Sequence, residues 1–329
     1  MSDTNGPAIY LAPTSGSTTK GANNLQAAPV ITSATTDTVR GTGVKGSLVE
    51  VYQADRPAGQ QGLPVQFLGD TTVASDGTWK LAISGVNAGQ HVTSLQIRTD
   101  DNTSALGNNV DVTQAPAPPK SGDVILSDDF GRTLAGGWGN VDQGATWALT
   151  GTAADFSVDG SAGEISAAAA STHEARVSIG STPDVEITGT LALDRVPTGT
   201  NAYAYVLARA SGNNAYRAAI RVATTGAVFV QLKKSVSNVE SNVGSEVAAG
   251  ITVIPGSPIG FRFRVVGSDL SLRVWNASGA EPAAWTVTGS DSTAALAGAG
   301  SVGLRTYAGS ALSNGPLNVS LDALRVLVP

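Results

Sequence analysis

The side chains best suited to binding a ligand lie within residues 201–234. This segment contains three short runs, which are separated by turn sequences that include Gly212 and Gly226. Each run alternates between apolar and polar positions, and a period of two is typical of a strand with one buried face. Antiparallel pairing of the three runs would merge their polar positions into one surface. The residues predicted to share this surface are Tyr203, Tyr205, Arg209, Arg217, Arg221, Phe229 and Gln231.

The composition of this surface suits recognition better than reaction. Arginine donates paired hydrogen bonds to carboxylates or to pairs of hydroxyl groups, and tyrosine combines an apolar ring with a polar tip. A strand of period two cannot mix its faces without a bulge, so the opposite residues are predicted to be buried. These opposite residues are Val206, Ile220, Val230 and Leu232. The alternative is that the polar face is only solvated or packs on a neighbouring loop.

The sequence offers no recognisable catalytic constellation. It has no cysteine and no G-x-S-x-G nucleophile elbow, and its two histidines, His91 and His173, are far apart. Glycoside hydrolysis needs two carboxyl groups roughly 5–9 Å apart. Asp184 and Glu186 come nearest to such a pair, although a solvated strand face accounts for them better. We therefore predict that the chain is not an enzyme and that it has no catalytic residue.

A glycine motif and most of the five tryptophans are more simply structural than ligand-binding. The G-x-G-x-x-G pattern at Gly41, Gly43 and Gly46 precedes a predicted strand, whereas a dinucleotide site requires a helix there. We interpret these glycines as a hairpin turn. In a chain so poor in aromatic residues, most tryptophans are expected in the core. The predicted core tryptophans are Trp79, Trp138 and Trp147, while Trp275 and Trp285 could stack on sugars.

Composition narrows the class of protein. Charged residues make up 14% of the chain, the net charge is −6, and no basic cluster is longer than two residues, which disfavours nucleic acid as a partner. Low charge with many small and β-branched residues is typical of extracellular all-β proteins. No apolar run reaches the roughly 18 residues of a membrane helix, so no membrane insertion is expected. The N-terminal sequence also lacks the basic and apolar regions of a signal peptide.

Composition and turn spacing divide the chain into four parts. Residues 1–28 are predicted to form a flexible arm, and residues 114–122 a semi-rigid linker rich in proline. Residues 29–113 contain about seven runs of strand length, which is the pattern of an immunoglobulin-like sandwich. Residues 123–329 form a second, larger domain. No segment with a helical period stands out, so we predict an all-β protein.

Two resemblances refine this architecture. The run TVRGTGVKGSLVEVYQ, followed by DTTVASDGTWKLAISG, resembles the Ig-like repeats of bacterial surface proteins. The later pattern DDF-x-R, GGWG, W-x-L-x-G and DFSV-x-G, with LRVW and LDALRV, resembles a module of actinobacterial secreted proteins and actinophage minor tail proteins. That module is similar to the concanavalin A-like, or laminin-G-like, jelly roll. The resemblance implies an Ig-like β-sandwich followed by a jelly roll whose surface faces carbohydrate or protein.

A jelly roll would also bring three carboxylates towards each other. Its first and last strands usually pair, which would place Asp128 and Asp129 near Asp322. Oxygen ligands that converge in this way hold calcium, so these three residues are a candidate metal site and calcium is a possible cofactor. The alternative is that Asp128 and Asp129 hydrogen-bond the turn at Gly131.

Together these features predict a non-catalytic extracellular binding module. The jelly-roll sheet would recognise a glycan or a cell-wall polymer, with the Ig-like domain as a spacer. One alternative is a structural component of a phage tail or surface appendage that contacts other virion or surface proteins. Another is an ancillary region of a secreted polysaccharide-degrading enzyme. In each case the predicted location is the extracellular space, a cell surface or a virion.

Overall fold

Two compact units make up the chain. The computed structural model describes residues 9, 11–15, 21–117 and 120–329. Contacts divide the chain into Met1–Pro118 and Pro119–Pro329, each with its own hydrophobic core. The described residues are almost entirely strands, turns and loops, which confirms the predicted all-β class. None of their helices is long and apolar enough to cross a membrane.

The first unit is a small sandwich of two antiparallel sheets. A single 3-10 turn at Ala22–Leu25 precedes its described strands. These strands are β1 Val30–Ala34, β2 Thr38–Thr42, β3 Leu48–Ala54, β4 Pro64–Thr72, β5 Thr78–Ala82, β6 His91–Ile97 and β7 Val110–Asp111. One sheet has the order β1-β2-β5 and the other β4-β3-β6-β7. The Ig-like assignment of this unit stays a prediction from the sequence.

The core of the first unit lies between these two sheets. Val49, Val51 and Val92 project from one sheet, and Trp79 from the other, as the alternation of each strand predicts. Trp79 is buried as predicted. The glycine motif does not form a hairpin, because β2 and β3 belong to different sheets. Its glycines carry the chain from one sheet to the other, and Gly46 has a positive φ of 79°.

The second unit is a larger two-layer sandwich. Two 3-10 helices, Ala153–Asp155 and Ala294–Leu296, interrupt its strands. Its described strands are β8 Val124–Asp128, β9 Thr133–Ala135, β10 Ala148–Thr150, β11 Phe156–Asp159, β12 Gly163–Ala167, β13 Thr172–Ser178, β14 Val185–Leu193, β15 Ala202–Ser211, β16 Asn214–Val222, β17 Ala227–Val236, β18 Val239–Asn242, β19 Val247–Thr252, β20 Ile259–Val266, β21 Asp269–Asn276, β22 Val287–Ser290, β23 Ser301–Ala308 and β24 Leu317–Leu327.

Antiparallel pairing assembles these strands into two sheets. The eight-stranded sheet runs β10-β13-β23-β15-β16-β17-β18, and β19 also pairs with β17. The nine-stranded sheet runs β22-β21-β20-β14-β24-β12-β11-β9. β12 pairs with residues 317–321 of β24, and β8 pairs with residues 324–327 of the same strand. The three runs of residues 201–234 are therefore adjacent strands, as predicted. Val206, Ile220, Val230 and Leu232 point into the core and are at most 3% exposed.

Candidate functional site

Cross-strand register places the predicted polar residues in rows on the outer face of the eight-stranded sheet. One row contains Thr172, Tyr307, Tyr203, Arg221 and Phe229. The next row contains Glu174, Arg305, Tyr205, Ala219 and Gln231. A third row contains Arg176, Gly303, Leu207, Arg217 and Lys233. We call these three rows the tyrosine face.

Aromatic rings dominate the first row. The Tyr203 ring stacks on that of Tyr205 in the second row, with centroids 5.9 Å apart and planes 8° apart. The Tyr307 ring lies 6.0 Å from Tyr203 at a tilt of 42°, and Tyr307 is 39% exposed. On the other side, the Arg221 guanidinium lies 4.1 Å from the centroid of the half-buried Phe229 ring. The row thus offers an accessible aromatic platform across four neighbouring strands.

Ion pairs flank this platform on both sides. Arg221 donates two hydrogen bonds to Glu246, at 2.7 and 2.6 Å. This contact lowers the pKa of Glu246 and raises that of Arg221. At the other side, Glu174 lies 2.5 Å from Arg176 and 3.3 Å from Arg305. The side chains of Glu246 and Arg305, which are 35% and 28% exposed, can hydrogen-bond ligand hydroxyls, whereas Glu174 is buried and holds Arg305 in place.

Three of the predicted residues on this face are covered. Tyr205, Arg217 and Gln231 are at most 9% exposed. Glu240 accepts hydrogen bonds from both Arg217 and Lys233, each at 2.8 Å, and Gln231 donates to the carbonyl of Gly244. Burial raises the pKa of the Tyr205 hydroxyl. The part open to a ligand is therefore the row of Tyr203 and Tyr307, with Phe229 and Arg221.

The prediction that Arg209 shares this face is wrong. Residues 209 and 210 of β15 stand opposite a single residue of β16, between the pairs Ala208–Tyr216 and Ser211–Asn214. Arg209 has a positive φ of 49° at this bulge. Its guanidinium leaves the outer face and donates to Asp184, as well as to the carbonyls of Pro183 and Leu296.

The carboxylate of Asp128 is engaged by protein donors. It is fully buried and accepts two hydrogen bonds from Arg132, at 2.7 and 2.8 Å. The indole of Trp147 donates to it at 2.7 Å, and the backbone N–H of Phe130 at 2.9 Å. Trp138 and Trp147 are buried beside it, as predicted, with ring centroids 5.0 Å apart. Asp129 accepts from the N–H of Gly131, in agreement with the alternative of a turn.

The predicted convergence of Asp322 with these residues is wrong. The first and last strands do pair, but Leu324 is the partner of Asp128. A second bulge, with φ of 50° at Ala323, shifts the register of β24 against β14 between Asp322 and Arg325. The carboxylates whose oxygens lie within 4.8 Å of one another are those of Asp128, Asp129 and Asp142. Calcium binding stays a prediction, but the three ligands proposed from the sequence do not come together.

The remaining candidate residues are paired within the protein. Glu186 contacts Arg262, which also forms two hydrogen bonds with Glu281. The Arg273 guanidinium lies 4.5 Å from the centroid of the Trp285 ring. This contact leaves one side of that ring occupied by a cation.

The two histidines are paired separately with aspartates. His91 lies 3.1 Å from Asp111, and His173 lies 2.9 Å from Asp155. Each histidine belongs to a different compact unit. The structure therefore gives each imidazole a local carboxylate partner.

Sequence reasoning missed one residue of the accessible platform, Tyr307, and the Arg305–Glu174 pair beside it. Tyr307, Arg305 and Glu174 come from β23 and β13, which flank the predicted strands on the side of β15. The alternation in GLRTYA, within residues 303–308, is the signal that could have indicated their shared face.

Comparison with known proteins finds distant similarities to solved structures. No protein-family model and no curated protein matches the chain. Solved structures that match include a glycosyl hydrolase family 16 protein from Mycobacterium smegmatis, with 15% identity, a TM-score of 0.40, and coverage of 62% of this chain and 100% of that chain. A legume lectin-like domain from Entamoeba histolytica matches with 11% identity, a TM-score of 0.42, and coverage of 64% and 100%. The carbohydrate-binding module CBM66 from Bacillus subtilis matches with 15% identity, a TM-score of 0.38, and coverage of 64% and 99%.

The two antiparallel sheets of the second unit form the jelly-roll sandwich that the sequence predicted. The prediction that the chain is not an enzyme is wrong: it rested on missing motifs alone, and glycoside hydrolases are among the matched structures, with 100% and 97% of their chains covered.

Proposed function

We propose that the second unit binds a carbohydrate chain on the tyrosine face. The observation that carries this proposal is the accessible platform of Tyr203 and Tyr307, with ion-paired arginines and glutamates on both sides. The apolar face of a pyranose ring can lie on such a ring, while its hydroxyls reach the flanking charges.

The extent of the platform favours an oligomeric ligand over a single sugar. Tyr307, Tyr203, Arg221 and Phe229 occupy four adjacent strands, whose separation is about 4.8 Å each. An extended ligand that crosses the strands would contact all four side chains. A glycan or a cell-wall polymer has this form, and it places the protein outside the cell or at a cell surface. The role of the first unit as a spacer belongs to the same proposal.

Alanine substitution tests this proposal directly. Full-length protein and the double variant Tyr203→Ala with Tyr307→Ala are titrated with soluble β-glucan, xylan, mannan and peptidoglycan fragments, and binding is measured by calorimetry. We expect the double variant to bind the recognised polymer at least tenfold more weakly, since loss of an aromatic contact costs about 0.5–1.5 kcal/mol beyond its buried area. Release of reducing ends is followed in the same samples, so that hydrolysis is detected together with binding.

The matched control is Tyr52→Ala. Tyr52 lies in the first unit, where its ring packs 5.4 Å from Phe67, and its substitution should leave affinity unchanged. Equal affinity of the wild type and the double variant for every polymer bound would overturn the proposal, as would a wild type that binds none of them.

A further inference from the structure

A separate cavity lies at the bulge of β15. It has a volume of about 360 Å³ and opens where the two sheets of the second unit meet. Asp184, Arg209, Tyr216, Ser268, Asp291 and Ser292 contribute to its lining. A volume of this size falls at the lower end of the range for small-molecule sites, about 300–1,000 Å³.

The wall of the cavity is rigidly built. Arg209 is 4% exposed, and its hydrogen bonds to Pro183, Leu296 and Asp184 fix its guanidinium. The guanidinium also lies 5.7 Å from the centroid of the Tyr216 ring. Left-handed backbone at a non-glycine residue is strained, and such strain is concentrated at binding and catalytic sites. The bulge therefore holds a charged side chain against a cavity at an energetic cost.

The charges around the cavity cancel. Asp184 pairs with Arg209 at 2.9 Å, and Asp291 pairs with Lys234. Desolvation would raise the pKa of Asp291, but its contacts with Lys234, Thr293 and Tyr216 lower it overall. A phosphate or carboxylate ligand would meet two carboxylates and no unneutralised cation among the described residues of the lining. A divalent cation would find Asp291 engaged on both oxygens, with Tyr216 and Thr293 among the donors.

The free polar groups are those that a hydroxyl group can use. Asp184 accepts bonds from Arg209 and from the N–H of Gly267 through Oδ1, and no donor among the described residues reaches Oδ2. The exposed Ser268 and Ser292 add hydroxyl groups that can donate or accept. Pro183 and Ala297 supply an apolar patch.

We propose that this cavity is a second binding site, for a neutral polyhydroxylated ligand of the size of a monosaccharide. Asp184 Oδ2 would accept hydrogen bonds from one or two ligand hydroxyls, the two serines would bind others, and Pro183 and Ala297 would meet the apolar side. The site shares no side chain with the tyrosine face and does not depend on it.

The experiment uses the full chain and free D-glucose, D-galactose, D-mannose and L-rhamnose at millimolar concentrations. Binding is followed by saturation-transfer NMR and by shifts of the amide signals of Gly267 and Ser268. We expect at least one sugar to bind, S268F to abolish binding by filling the cavity, and D184N to weaken it at least tenfold. D184N retains an oxygen for Arg209 and Gly267, so it serves if S268F does not fold.

The controls distinguish this cavity from the tyrosine face and from an ion site. Ser278 lies at the opposite end of β21 from Ser268 and is also exposed, so S278F should bind like the wild type. Tyr203→Ala should also retain sugar binding, and its loss there would assign the sugar to the tyrosine face and overturn the proposal. Absence of binding by the wild type, normal binding by folded S268F, or shifts produced by calcium chloride or phosphate instead of sugars would overturn it as well.

Discussion

Aromatic rings meet arginine–carboxylate pairs in two regions of the second unit, with opposite outcomes. Around Asp128, the rings of Phe130, Trp138 and Trp147 enclose a carboxylate that is fully buried and bonded to Arg132. On the tyrosine face, similar groups stand on the outside of a sheet, and Tyr307 is 39% exposed.

The difference lies in how many protein groups use each polar atom. Arg132, Trp147 and a backbone N–H occupy the Asp128 oxygens, so this region has little left to offer a ligand. The Glu246 carboxylate is bonded to Arg221, yet the side chain of Glu246 is 35% exposed and can accept further bonds. Residue type alone therefore does not distinguish a structural cluster from a recognition surface. Burial and the number of donors do.

The largest expected effect comes from the buried cluster. Asp128→Ala would leave Arg132 and the Trp147 indole without their acceptor in a region closed to water. We expect a loss of about 3–5 kcal/mol in the free energy of unfolding, measured by chemical denaturation. The control is Asp129→Ala, which removes one hydrogen bond at an exposed turn and should cost no more than about 1.5 kcal/mol. Equal losses for the two variants would refute the structural role of Asp128.

An intermediate effect should separate two arginines of the tyrosine face. Arg217 is 7% exposed and bonded to Glu240, whereas Arg221 lies nearer to solvent above Phe229. Arg217→Ala is expected to lower the free energy of unfolding by about 1.5–3 kcal/mol, because a covered charged partner loses its hydrogen bond. Arg221→Ala should cost less and act mainly on ligand affinity. The opposite ranking in denaturant titrations would contradict the division of this face into covered and open parts.

The smallest effect concerns pH. The hydrogen bond from Arg221 lowers the pKa of Glu246 below the usual 4.5. The resulting stabilisation is complete above that value and is lost as pH falls through the lower pKa of the folded state. Glu246→Gln should therefore remove about 0.2–1 kcal/mol of the stability difference between about pH 6 and about pH 3. An unchanged pH profile would show that this pair contributes nothing to folding.

Period two was sufficient to predict much of the eight-stranded sheet. Tyr203, Tyr205, Arg217 and Gln231 share a face, and Val206 and Ile220 face the core, because alternation holds wherever the register is regular. The core tryptophans could likewise be predicted from the scarcity of aromatic residues.

Both misplaced side chains follow from bulges. Arg209 and Ala323 take left-handed backbone without being glycine, and each inserts one extra residue into its strand. Neither arginine nor alanine signals a bulge in a sequence. A prediction that assumes regular strands therefore puts Arg209 on the wrong face and Asp322 in the wrong register. The covering of Arg217 by Glu240 was also beyond prediction, because it depends on the tertiary path of β18.

The pairing of β8 with β24 gives the second unit a particular response to tension. Gly122 donates a hydrogen bond to Val328, and Val328 donates to Asp123, so the two ends of the unit lie side by side. Because the strands are antiparallel, Val124 faces Leu327 at the end where both chain ends leave. A force applied between these ends would unzip the ladder one hydrogen bond at a time, starting there, and would not load all its bonds in shear. In a pulling experiment, the unit should therefore yield first at this seam and at low force.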